Sequence, residues 1–204
     1  LFNIQEYDLD NISKYFQREA ALNPEFTPLI RGRLLSAKRF NSDQLSSENL
    51  MEREANLTWS ESLPKSNSIS KGKWWSKKNT KSEVSVDREV AESMNLNIGD
   101  ELLFSAGGSN FNATVTSFRE IEWESFSPNF FFILSPSLGK KLPNSYITSI
   151  KIPSDMNIMK KFTQQFPTIS SVDLGAIILQ IRNTISSASL AVQYIFLLTL
   201  IAGI

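Results

Sequence analysis

Apolar side chains recur along this chain with two different periods, and the switches between them mark out the elements. Near the start, Leu9, Ile12 and Phe16 stand three and four residues apart, so they share one face of a helix. Asp8 or Asp10 is placed to cap that helix, and Asn23-Pro24 stops it. Residues 2–4 before it and 26–37 after it are β-prone, which predicts strand–helix–strand. A matching unit lies far downstream. Residues 146–152 (YITSIKI) alternate large apolar with small or polar side chains over much of their length. Pro153-Ser154-Asp155 then breaks the chain, Met159, Phe162 and Phe166 follow at helical spacing, and Pro167 ends the run. Residues 169–174 read as a short strand. Two such units packed together predict an α+β fold with a split βαβ, ferredoxin-like layer, helices on one face of a mainly antiparallel sheet.

Between the two units the texture changes. Residues 39–53 are polar and read as loop plus a short helix, and 57–59 as a strand. Residues 60–81 are rich in Ser, Lys and turn formers. Then Val84-Ser85-Val86 leads into a short helix over 87–94, capped by Ser85 or Asp87, with Val90, Ala91 and Met94 as its apolar face. Gly99-Asp100 turns the chain into a strand ending near Phe104. Gly107-Gly108-Ser109-Asn110 is a hairpin turn, and residues 111–119 (FNATVTSFR) alternate as the partner strand. Residues 130–134 open with three phenylalanines and read as a buried strand. The expected organisation is therefore an outer subdomain from 1–36 and 146–174, an inserted β-rich subdomain over 37–145, and one long helix over 175–204.

That helix starts amphipathic, with Ile178, Ile181, Ile185, Ala188 and Val192 on one stripe, and ends apolar all round. The last charged residue is Arg182, so 183–204 form an uncharged run of 22 residues. A helix needs about 20 apolar residues to cross a bilayer core. The run predicts a stalk continuing into a transmembrane helix; a very apolar buried core helix is the alternative. The chain opens on Leu1-Phe2-Asn3-Ile4 with neither an initiator Met nor a signal-peptide pattern, and the expectation is that an upstream piece has been removed.

Composition narrows the function classes. The 204 residues suffice for one large or two small domains, and 41% hydrophobic with 21% charged residues is ordinary for a globular chain. Formal net charge is zero, which argues against nucleic acid binding. The one basic patch, 71–81 (KGKWWSKKNTK), holds five lysines and two tryptophans. It reads as a solvated loop with an aromatic anchor, against single-strand stacking as the alternative. There is no Cys and no His, which removes disulfides, thiolate metal sites and Ser-His or Cys-His catalysis. Glu120, Glu122 and Glu124 alternate with Ile121 and Trp123, as on a solvated strand face. No catalytic, cofactor or metal residue is expected.

Aromatic residues concentrate in the inserted segment: Trp59, Trp74, Trp75, Trp123, Phe126, Phe130, Phe131 and Phe132. They read as core packing or as an apolar groove or partner-docking surface. If Trp74 and Trp75 lie in a strand they face opposite sides, which leaves one of them exposed or lining a groove. Ile178, Ile181 and Ile185 are candidate stalk contacts, either on the domain's own sheet or on a neighbouring membrane helix.

Several of these segments together carry a resemblance. Asn56-Leu57-Thr58-Trp59-Ser60, Ser62-Leu63-Pro64, Gly72-Lys73-Trp74-Trp75, Leu96-Asn97-Ile98-Gly99-Asp100 and Trp123-Glu124-Ser125-Phe126 with Pro128-Asn129-Phe130-Phe131 resemble the first extracytoplasmic domain of YbbP-type permeases of ABC transporters. The tail from Ser189 to Gly203 is similar to the start of that family's next membrane helix. The wider relatives are the MacB, LolC/LolE and FtsX permeases. The resemblance implies a porter-like α+β part with a β-rich insertion, on the periplasmic side of a bacterial inner membrane. It implies a separate cytoplasmic ATPase subunit, further membrane helices of the same permease, a lipophilic or lipoprotein-type cargo and, in some relatives, a periplasmic esterase or lysophospholipase partner. The chain has no G-x-x-x-x-G-K-[ST] loop, so ATP hydrolysis is expected elsewhere. The competing expectation is a membrane-tethered lipid or peptide binding module without an ATPase.

Overall fold

A computed structural model of the chain describes residues 1–39, 54–76, 80–123, 127–152 and 157–177, together with 180, 181, 184, 185, 189, 192, 193 and 199. The chain divides into two compact units, residues 1–170 and 171–204.

The larger unit is built on a closed six-stranded barrel. Its strands are β1 (Thr27–Lys38), β2 (Glu54–Trp59), β4 (Glu83–Asp87), β5 (Glu101–Ala106), β6 (Ser109–Ile121) and β7 (Phe132–Leu134). Pairing runs β1-β2-β7-β4-β6-β5 and returns to β1. The β2–β7 and β4–β6 pairs are parallel, and the other four are antiparallel. Closure satisfies every strand edge. One further strand, β3 (Asn67–Gly72), pairs with the far end of β6. Leu57, Val84, Val86, Leu102, Phe104, Val115 and Leu134 fill the interior. Gly107 and Gly108 make the β5–β6 turn at φ 59° and 81°, the positive values a two-residue hairpin needs.

Two features decide which β6 side chains face inward. Val84 pairs with Val115, but the next rung joins Ser85 to Ser117, so Thr116 is an extra residue. The bulge reverses the alternation: Ala113, Val115 and then Phe118 join the barrel core, while Ser117 and Arg119 leave it. Asp87 ends β4 and caps helix α2 (Arg88–Ser93), its Oδ2 accepting the Val90 N–H at 3.3 Å. Of the two caps expected for that helix, the structure uses Asp87.

A second core lies between α1 (Leu9–Ala20), α4 (Asn157–Gln165) and short strand fragments. Ile4, Ile12, Tyr15, Phe16, Phe162, Phe166 and Ile169 pack there, with Tyr15 edge-on to Phe162 at 5.4 Å. The Tyr15 hydroxyl donates to the Ile158 carbonyl at 2.7 Å. Beneath the helices, Thr27, Pro28 and Leu29 of β1 pair antiparallel with β8 (Ser145–Ile147). Ile4 bridges Tyr146, and Phe2 bridges Ser170.

The architecture is mixed α+β, but the expected split βαβ, ferredoxin-like layer is not clearly realised. Asn3, at φ 62°, interrupts residues 2–4 and leaves isolated bridges in place of a strand. Regular pairing in 146–152 ends at Ile147, and residues 169–174 keep only the bridge at Ser170 before a helix begins at Leu174. Most of β1 is drawn into the barrel instead. The helix expected in 39–53 lies almost wholly outside the described residues. Sequence reading also missed β3, inside the stretch taken as turn-rich.

The smaller unit carries helical residues from Leu174 onward, started by Asp173, whose Oδ1 accepts the Ala176 N–H at 3.0 Å. Among the described residues no helix is long and apolar enough to cross a membrane. Most of the run 183–204, for which a transmembrane continuation is expected, lies outside the described residues.

Candidate functional site

The aromatic residues singled out in the sequence fall into two groups. The first surrounds the turn after β2. Trp59 ends β2 half-buried, with the short helix α3 (Pro136–Gly139) so close that a Cβ on Gly139 would lie 2.2 Å from the Trp59 Cβ. Lys140 stands 5.1 Å from the centre of the Trp59 ring and pairs with Glu61 at 2.7 Å. Trp74 and Trp75 dock on the same turn. The Trp75 indole N–H donates to the Ser60 carbonyl at 3.0 Å, and that of Trp74 to the Glu61 carbonyl at 3.3 Å.

The condition under which this pair would face opposite sides is not met. Strand β3 ends at Gly72, ahead of both tryptophans, in a left-handed conformation (φ 82°). A Cβ there would fall 2.2 Å from the Thr116 carbonyl oxygen at the β6 bulge, so glycine is required. Freed from strand alternation, the two rings lie against each other at 4.0 Å. Trp75 is buried and Trp74 half-buried.

The second group forms at the far end of β6. Trp123 and Phe131 are 52% and 46% exposed, and their rings approach to 5.4 Å. Phe130 and Phe132 beside them are buried. Phe126 lies outside the described residues.

Arg119 organises this end, and sequence reading did not single it out. Although fully buried, it donates from Nε to Ser85 Oγ at 3.0 Å, from Nη1 to Asn67 Oδ1, and from Nη2 to the Phe130 and Phe131 carbonyls at 2.9 and 3.1 Å. Ser117 Oγ donates to Ser85 Oγ at 2.7 Å. Asn129 accepts from Asn67 and Ser66 at 3.1 and 3.0 Å. Burial pushes the guanidinium pKa down to about 10, against the opposing pull of the Asp87 carboxylate. Arg119 therefore stays charged at neutral pH, and its Nη2 donors are spent on the segment that presents Phe131. The arrangement is a mount for exposed rings. Among the described residues no acidic cluster has metal-site geometry.

Of the stalk candidates, Ile181 and Ile185 are helical and 55% and 64% exposed, while Ile178 lies outside the described residues.

Comparison with known proteins gives one strong likeness. Over 191 residues, 93% of this chain, the sequence is 33% identical to the uncharacterized ABC transporter permease YbbP of Escherichia coli (strain K12). The chain spans only 23% of that protein's length. It is homologous to a segment of an ABC transporter permease. No protein-family profile matches it. Among solved structures, "a domain of a putative Permease protein from Porphyromonas gingivalis" overlaps 80% of this chain and 71% of that one. The identity is 9% and the TM-score 0.42, too low to carry an argument.

Proposed function

We propose, on the premise of homology to an ABC transporter permease, that this chain is an extracytoplasmic domain of such a permease, a non-enzymatic part that relays ATP-driven motion to the periplasm. The observation that carries the reading is 33% identity maintained over 93% of the chain. In this reading ATP is hydrolysed by a separate cytoplasmic subunit. The remaining permease helices transmit the movement, and the cargo is lipophilic or of lipoprotein type. Residues 175–204 serve as the stalk running toward the inner membrane, with Ile178, Ile181 and Ile185 as its contacts.

Support for a porter-like part, formed by 1–36 and 146–174 around the insertion 37–145, comes from strand order. The fragments lie as Ser170, Phe2–Ile4, Ser145–Ile147 and Thr27–Leu29, each antiparallel to the next. α1 and α4 supply the two crossovers. In this reading those fragments are what remains of the strands of a split βαβ layer.

The test is membrane fractionation of the parent protein with protease accessibility in spheroplasts, following residues 1–170 by antibody. The expected result is a membrane-bound segment cleaved from outside. A segment that is soluble, or protected on the cytoplasmic side, removes the transporter reading. Cross-linking of the paired stalks in the full permease is then expected to change ATP turnover, and unchanged turnover would count against the relay.

A further inference from the structure

We propose that the Trp123–Phe131 face is a docking surface for a cationic segment of a partner protein, one that places a lysine or arginine over the Trp123 ring and an apolar side chain against Phe131. The inference rests on this chain's own surface and stands apart from the transporter reading. Two large rings are left half in water at a place where the backbone is held firmly. Arg119 grips the carbonyls on either side of Phe131's peptide link to Phe130, and Asn129 Nδ2 reaches the Glu122 carbonyl at 3.5 Å. The Phe131 carbonyl also takes the Asp87 N–H at 2.8 Å. Exposed rings on such a mount lose little conformational freedom when covered, which favours binding.

Charge selects the occupant. Glu120 and Glu122 are exposed and precede Trp123 by three residues and one, and Glu89 and Glu92 are exposed on α2, which begins right after the Asp87–Phe131 contact. Of the cations beside this face among the described residues, Arg119 is buried and spent on hydrogen bonds, and Arg88 is bound to Glu120 at 2.6 Å and lies 3.6 Å from Glu92. Among the described residues Glu89 and Glu122 make no ion pair, and Lys71 on the adjacent strand is turned over the Phe118 ring at 5.9 Å. An aromatic face with a surplus of carboxylates attracts cations. It repels the anionic headgroups of a lipid surface and the phosphates of a nucleic acid.

The test uses the full chain and a fluorescein-labelled twelve-residue peptide of alternating lysine and leucine, followed by anisotropy at low salt. Its glutamate–leucine counterpart and phosphatidylglycerol vesicles serve as comparisons. The lysine peptide is expected to bind, and more weakly as salt rises. Trp123→Ala with Phe131→Ala is expected to weaken it at least tenfold, and Glu89→Gln with Glu122→Gln severalfold. Both double variants should keep the parental urea midpoint, since all four side chains are exposed. Four outcomes would overturn the proposal. One is absence of lysine-peptide binding, and another is unchanged binding in the aromatic double variant. A third is tighter, Trp123-dependent binding of the glutamate peptide or the vesicles, which would assign the face to an acidic partner segment or to a membrane. The last is concentration-dependent self-association lost in the double variant, which would assign the face to a second copy of this chain.

Discussion

Arg119 shows how a single side chain can be misread by pattern and then decide a surface. Counted along β6 from Ala113 and Val115, strict alternation would send Arg119 into the barrel, where a cation has no partners. The extra residue Thr116 moves it to the outer face, beside Ser85 and Asn67. Its desolvation is offset by hydrogen bonds from Nε and both terminal nitrogens. Removing it takes the Arg119 donor from the Phe130 carbonyl and from Asn67 Oδ1, while the Phe131 carbonyl keeps the Asp87 N–H and Ser85 Oγ keeps the Ser117 hydroxyl. Arg119→Ala is expected to cost about 3–5 kcal/mol in urea unfolding. Arg119→Lys should recover only part of that, because one ammonium cannot reach acceptors spread around a planar fork. The sequence showed the aromatics of this region plainly, but not their mount. A bulge leaves no mark in a hydrophobic pattern, and the partners of Arg119 lie 11 to 52 residues away in the chain.

At the level of elements, local chemistry was legible wherever a short-range signal fixed the backbone. The α2 cap at Asp87, the Gly107-Gly108 hairpin and the stripe of α1 all follow from neighbours within a few residues. The end of α1 is subtler. The helix closes before Asn23-Pro24, through Ala21 in a left-handed conformation, with Ala21 N–H on the Gln17 carbonyl and Leu22 N–H on the Phe16 carbonyl. Glycine is the residue suited to that position. Ala21→Gly is expected to raise stability by about 0.5–1 kcal/mol, the relief of a left-handed alanine less the greater freedom of the unfolded chain. Differential scanning calorimetry would show it as a higher Tm. The α1–α4 contact carries a pH response as well. Burial, with the Glu19 carboxylate nearby, raises the Tyr15 pKa above its usual value near 10. The native state thus favours the neutral phenol, and stability is lost as pH climbs past the unfolded value. Alkaline unfolding should begin later in Tyr15→Phe, at some cost in stability at neutral pH from the missing bond to Ile158. β3 and the shrunken outer strands were not legible, because they are set by what β6 and β1 offer as partners and not by their own alternation.

Across the whole molecule, the long-range pairings are what no reading of adjacent residues supplied. That the middle of the chain is rich in strands was foreseeable from strand count and turn spacing. That its strands close on themselves, with two parallel pairs, depends on β7 threading between β2 and β4, and no local signal records that choice. The connection between the two cores has a consequence of its own. Leu29 and Ser145 are opposite each other in register, so the chain leaves the outer layer and re-enters it at one rung. Topologically, everything between them is the loop of a single hairpin. Replacing residues 30–144 by Asn-Gly should therefore splice the two strands without displacing either, and the miniature that results would retain Tyr15, Phe16 and Phe162 around a shared centre. Near-ultraviolet circular dichroism would reveal whether those rings stay ordered. If they do, the barrel is cargo on a hairpin stem, free to be exchanged for other folds at that one rung; if they do not, the stem depends on the barrel for its own rigidity.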